Sequence, residues 1–149
     1  MTTCAGSSRT VTSRLLFDTN ILVDYAVTNR PEHLPATILM ERVAKSEAAG
    51  YVTSGSLKDF YYLCRKPLGE PACRQLIRHF LVLLDVLPVG QRECDDSAYS
   101  DEPDFEDGLI RAVAERNDLD FIITRDSGAF AHSSVKSMTA RQYLALFPR

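Results

Sequence analysis

No apolar run in the sequence approaches the roughly 18 residues that a membrane span needs. No apolar segment follows the small, polar start MTTCAGSSRTVTSR, so no secretory signal is visible. These absences argue against a membrane-spanning or exported protein and make the cytoplasm the expected compartment. The four cysteines, Cys4, Cys64, Cys73 and Cys94, form no C-x-x-C pair, and no Cys/His spacing matches a zinc site. Reduced thiols are the natural reading, with Cys64 a small hydrophobe among Tyr61, Tyr62 and Leu63. The chain also lacks internal repeats and low-complexity tracts, and it has no excess of bases: its net charge is −3.

What is present is the material of one globular domain. Of 149 residues, 45% are hydrophobic and 25% charged, enough for a core that needs no disulfide or metal to close it. Residues 1–13, rich in Ser and Thr, read as a flexible tail, and residues 14–149 as a single domain. The charge is unevenly placed. Residues 93–107, ECDDSAYSDEPDFED, hold eight acids and no Lys or Arg, and outside them bases exceed acids by five. A mildly basic body with one acidic region suits a metal-dependent enzyme acting on a polyanion, although charge alone favours a solvated acidic helix.

Local patterns alternate between strand and helix. RLLF (14–17) reads as a strand that stops at Asp18-Thr19-Asn20, three good helix N-caps, before the short helix ILVDYA. A helix follows from Ala36, with Gly50 expected as its C′ glycine, then a strand at 51–53 and a helix opened by Ser54-Gly55-Ser56. Pro67, Gly69 and Pro71 punctuate. The next helix, 72–84, turns Leu76, Ile77, Phe80, Leu81 and Leu84 toward the core. A strand at 86–89 and an acidic helix lead to Pro103. Asp104 caps a helix over 105–116, and LDFIIT (119–124) is an apolar run of the kind a parallel sheet buries on both faces. Residues 135–138 read as an edge strand, and Thr139 caps a last helix over 141–146. The alternation predicts an α/β fold, a three-layer α/β/α arrangement with a central, mostly parallel sheet of short strands.

In such a sheet, ligands sit outside the carboxyl ends of the strands. Asp18, Thr19 and Asn20 follow the first strand, Ser54 the second, and Asp126 the LDFIIT strand. Asp59 lies one turn into the helix after Ser54. Asp107 lies in the first turn of the helix capped by Asp104. Each residue also has an ordinary reading, as a cap, a solvated acid or a turn residue. Their joint placement favours a site. Carboxylates gathered there would repel unless neutralised, and Mg²⁺ or Mn²⁺ is the hard cation that oxygen donors prefer. Phosphodiester hydrolysis is the chemistry such a site suits.

The segments LLFDTNILVDY, TSGSLKDFYYL and DFEDGLIRAVAERNDLDFIITRD resemble, in order and spacing, the PIN-domain nucleases, most of all the small prokaryotic VapC-like toxins. The resemblance implies a PIN-like fold, Mg²⁺ or Mn²⁺ as cofactor, and cleavage of single-stranded or structured RNA. It implies Asp18, Asp59, Asp107 and Asp126 as the catalytic acids, with Asp18, Asp107 and Asp126 on the metal. Thr19, Asn20, Ser54, Asp104 and Thr124 would support them. Asp59 stands where the family usually has Glu, a carboxylate one methylene shorter. As partners the resemblance implies a cognate antitoxin, and it permits a homodimer. Arg65, Lys66, Arg74 and Arg78 are candidates to track an RNA backbone. Arg125 is left to pair with Asp126 or to meet a phosphate. The histidines, His33, His79 and His132, fit surface or packing roles.

Three rivals stand beside the toxin nuclease. One is an RNA-processing nuclease with no antitoxin. Another is a catalytically silent nucleic-acid or partner-binding module. The third is a phosphoacceptor domain using Asp85 and Lys136.

Overall fold

The computed structural model describes residues 12–149. Most of the expected tail lies outside the described residues, and Ser13 already belongs to the first strand. Five strands, β1 (Ser13–Phe17), β2 (Ala48–Thr53), β3 (Leu84–Leu87), β4 (Phe121–Ile123) and β5 (Lys136–Met138), form one sheet in the order β3-β2-β1-β4-β5. Every pairing is parallel. β1 is therefore central, with β2 on one side and β4 on the other.

Alternation along β1 divides the core. Leu15 and Phe17 join Val52 and Ile123 in a cluster with α1 (Thr19–Ala26), α2 (His33–Ala44), α3 (Ser54–Leu68), α4 (Glu70–Leu83) and α7 (Ala140–Leu146). Leu16 and Ile122 face the other way, onto Ile110, Val113 and Ala114 of α6 (Phe105–Arg116) and onto Phe130. α5 (Gln91–Ala98) packs against α6. The result is the three-layer α/β/α sandwich read from the sequence, with the two helical layers separated by a sheet buried on both faces.

Local expectations needed several corrections. α2 ends at Ala44, not at Gly50, and the chain turns through Ser46 at a positive φ of 59°. Gly50 lies inside β2, where a Cβ would come within 2.5 Å of Leu84 and 2.8 Å of Phe17. Its role is thus close packing between strand and core, not capping. Pro67 is accommodated in the last turn of α3, and Gly69 alone, at φ 86°, separates α3 from α4. On α4 the buried positions are Cys73 and Phe80, so Leu81 lies one step round the helix and is exposed. Leu84 is buried, but as the first residue of β3. The phosphoacceptor pairing does not survive the strand order. Asp85 lies on edge strand β3 and Lys136 on the opposite edge strand β5, four strand spacings away, about 19 Å.

Candidate active site

Asp18 reaches the site because β1 is central and fully buried over Leu15-Leu16-Phe17. Its amide extends the ladder to the Ile123 carbonyl at 2.9 Å, and its Oδ1 caps α1 by accepting from the Thr19 amide at 2.8 Å. Its Oδ2 accepts from the Thr124 hydroxyl at 3.0 Å. Thr124 is buried at the end of β4, and its Oγ1 accepts from the Asp126 amide at 3.2 Å. One hydroxyl thus links the two strand ends that carry Asp18 and Asp126. Asp126 in turn opens a single 3-10 turn, Ser127–Phe130, by accepting from the Gly128 amide at 3.2 Å.

The other two acids come from helix starts. Thr53 caps α3 by accepting from the Ser56 amide at 3.0 Å, which sets Asp59 one turn in. Asp104 caps α6 by accepting from the Asp107 amide at 3.0 Å, which holds Asp107 in the first turn. Asp18, Asp59 and Asp107 line one open cleft of about 710 Å³, together with Thr19, Asn20 and Ser54. Asp126, Asp104 and Thr124 lie outside the cleft walls. Asp126 is still close enough for its charge to act on both Asp18 and Asp107.

Electrostatically the cleft is strained in one direction. Burial pushes the Asp18 carboxyl above its ordinary range; the hydrogen bonds from Thr124 and Thr19 oppose this, and the charges of Asp59 and Asp126 add to it. Asp107 is pushed up to about 6, first by burial and then by Asp18, Asp104, Glu102 and Asp126. Among the described residues, no Lys or Arg forms an ion pair with Asp18, Asp59, Asp107 or Asp126. The nearby arginines are committed elsewhere: Arg111 to Asp101, Glu102 and Glu115, and Arg116 to Asp96.

The basic candidates are scattered. Arg125 turns away from Asp126 and, with Arg30, pairs with the fully buried Asp24 of α1 (Arg125 Nε–Oδ2 3.1 Å, Arg30 Nε–Oδ1 2.7 Å). Arg74 is held by Glu70 one turn earlier, at 2.8 and 3.2 Å. Arg65 lies over the Tyr62 ring, and Lys66 and Arg78 are exposed. No histidine lines the cleft. His33 meets the Asp24 carbonyl, His79 stacks on Tyr25, and His132 faces Asp101. Cys64, Cys73 and Cys94 are free thiols. Sequence reasoning passed over Lys58, Tyr62, Leu63 and Glu106, which also line the cleft. The clue lay in spacing, since Tyr62 follows Lys58 by four residues and Asp59 by three, one helical turn in each case.

The profile of the PIN-domain family matches residues 14–128. This chain belongs to the PIN-domain family. Solved structures share its fold at low identity. One is the sarcin-ricin-loop-cleaving toxin VapC20 of Mycobacterium tuberculosis. It is 14% identical, with a TM-score of 0.65, over 80% of this chain and 95% of the toxin. Another is a toxin–antitoxin complex from Klebsiella pneumoniae, 22% identical with a TM-score of 0.65 over 85% and 97%. A third is VapBC2 of Rickettsia felis bound to a fragment of its promoter DNA, 13% identical with a TM-score of 0.61 over 84% and 97%. No curated protein matches the chain significantly.

The donor set of this PIN domain fits a divalent cation. It is all carboxylate and hydroxyl oxygen, neighbouring acids add to the burial that raises Asp18 and Asp107, and among the described residues no Lys or Arg forms an ion pair with them. Among the described residues no group of three His, Cys, Asp or Glu side chains is drawn together so as to hold an ion. Water would therefore supply much of the coordination, as Mg²⁺ commonly demands.

Proposed function

We propose that this PIN domain is a metal-dependent endoribonuclease that hydrolyses phosphodiester bonds of RNA, and that it is the toxin of a toxin–antitoxin pair. The carrying observation is that one open cleft is lined by Asp18, Asp59 and Asp107, with Asp126 in electrostatic reach and, among the described residues, no Lys or Arg ion-paired with any of the four. Asp18, Asp107 and Asp126 would hold Mg²⁺ or Mn²⁺. A bound divalent ion supplies charge for the phosphoryl oxygens and makes a coordinated water more acidic.

The chain's own residues do the positioning. Thr124 fixes the Asp18 carboxylate through one oxygen and the Thr19 amide fixes the other, so its orientation is set before substrate arrives. Asp59, with a shorter reach than Glu, stands at the α3 side of the cleft, where it would orient water. Asn20 is exposed at the cleft wall and can hydrogen-bond a phosphate or sugar oxygen. The toxin role and an antitoxin partner rest on the VapC-like neighbours, two of which were solved as toxin–antitoxin complexes. No helix among the described residues is long and apolar enough to cross a membrane.

The test is cleavage of a mixed single-stranded RNA pool in Mn²⁺, Mg²⁺ or EDTA. Wild type should cut with metal and not in EDTA, and Asp18→Asn and Asp107→Asn should lose at least a hundredfold in rate while remaining folded. Full activity in either folded variant would refute the mechanism. Growth arrest on expression, relieved by a gene just upstream, would establish the toxin role. Absence of arrest, with cleavage intact, would favour an RNA-processing enzyme.

A further inference from the structure

Lys58, Tyr62 and Arg65 recur on α3 at intervals of four and three residues, and so share one stripe of the helix about 10 Å long. The stripe begins in the acidic cleft, which both Lys58 and Tyr62 line. Tyr62 is 67% exposed, an unusual position for a ring of that size at the mouth of a catalytic cleft. The Arg65 guanidinium covers one face of the ring, 4.8 Å from its centroid, and Lys66 is exposed beside it. The neighbours decide what the ring receives. An apolar protein surface would leave three cations without a counter-charge at its edge. A single-stranded polyanion carries flat apolar bases and a charged backbone together, and so satisfies both the ring and the cations.

We infer that Tyr62 is a stacking platform for an unpaired base of a single-stranded nucleic acid whose backbone runs along Lys58 and Arg65, which delivers the adjoining phosphodiester to the acidic cleft. This rests on the nuclease reading and adds how the strand is held. The arrangement also accounts for a chain of net negative charge binding a polyanion: the attraction is local, along one helix face.

The experiment measures binding of a mixed-sequence 12-nucleotide RNA, labelled with fluorescein for anisotropy or carrying 2-aminopurine, in EDTA and over a range of salt. Tyr62→Ala should weaken binding about tenfold with an unchanged salt slope, because stacking releases no counterions. Tyr62→Phe should bind as wild type and keep the 2-aminopurine quenching that Tyr62→Ala loses. Lys58→Ala should flatten the salt slope by about 0.7. If Tyr62→Ala binds as tightly as wild type while Asp107→Asn still abolishes cleavage, the platform falls and the nuclease stands. If wild type neither binds nor cuts any strand, both fall. If Tyr62→Ala turns a dimer into a monomer by light scattering with RNA binding per chain unchanged, the face belongs to a second copy and the inference is wrong.

Discussion

Asp107 carries a cost whose sign can be measured. Its carboxyl is pushed up to about 6 in the folded protein, against an ordinary value of 3.8. Below the lower value it is protonated whether the chain is folded or not, and costs nothing. Between the two values the unfolded chain releases the proton more readily, so stability falls as pH rises, and above about 6 the full cost is present. In EDTA, Asp107→Asn should therefore melt higher than wild type at pH 7. The difference should shrink through the pH 6 to 4 window and vanish below it, as read by thermal unfolding across pH. An advantage that is independent of pH would mean the gain comes from packing, not charge. Such a group is under strain on its own and relieved by a cation, which is the usual condition of a functional carboxylate.

At the scale of elements, the site depends on how α6 seats against α5. Gly108, next to Asp107, lets the two helices touch: a Cβ there would fall 2.0 Å from the Ser97 hydroxyl and 3.3 Å from the Ser97 Cα. That hydroxyl is already held by the Phe105 carbonyl at 2.8 Å, so it has little freedom to yield. Gly108→Ala should cost about 1–3 kcal/mol and lower the melting temperature by roughly 3–10 °C. It should also reduce cleavage, because the displaced helix carries Asp107; calorimetry and RNA cleavage on one preparation check both. Elements were legible in sequence where their signals are local. The Asp104 cap, the Asp18 cap and the Thr139 cap all stand where single-residue chemistry puts them. Signals that depend on distant partners were not legible. Gly50 looks like a helix stop until Leu84 and Phe17 are seen closing on it. Arg125 finds Asp24, 101 residues away in sequence, although Asp126 is its neighbour. Tyr62 stood only as a sequence neighbour of Cys64 until the cleft was in view.

The whole molecule is tied together at one edge. Asp18 and Asp126 follow two strands, Asp59 sits on a helix of one outer layer, and Asp107 sits on a helix of the other. A cation held by Asp18, Asp107 and Asp126 would couple the α6 layer to the sheet. Mn²⁺ should therefore raise the global melting temperature of wild type, by about 2.7 kcal/mol of stability at a hundred times its dissociation constant. Asp107→Asn should lose most of that response, and a thermal-shift titration decides it. Because all five strands are parallel, their starts lie at the opposite end of the sheet, where the exposed left-handed residues Ser46 and Asp118 turn the chain toward β2 and β4. That end is a natural handle. A cysteine placed at the exposed Lys45, in a chain whose Cys4 and exposed Cys94 are replaced by serine, would allow the protein to be anchored to a sensor surface or tagged with a dye on the side away from the cleft. Every molecule would then present the same working face to solution, and single cleavage events could be followed without the attachment blocking the strand's approach.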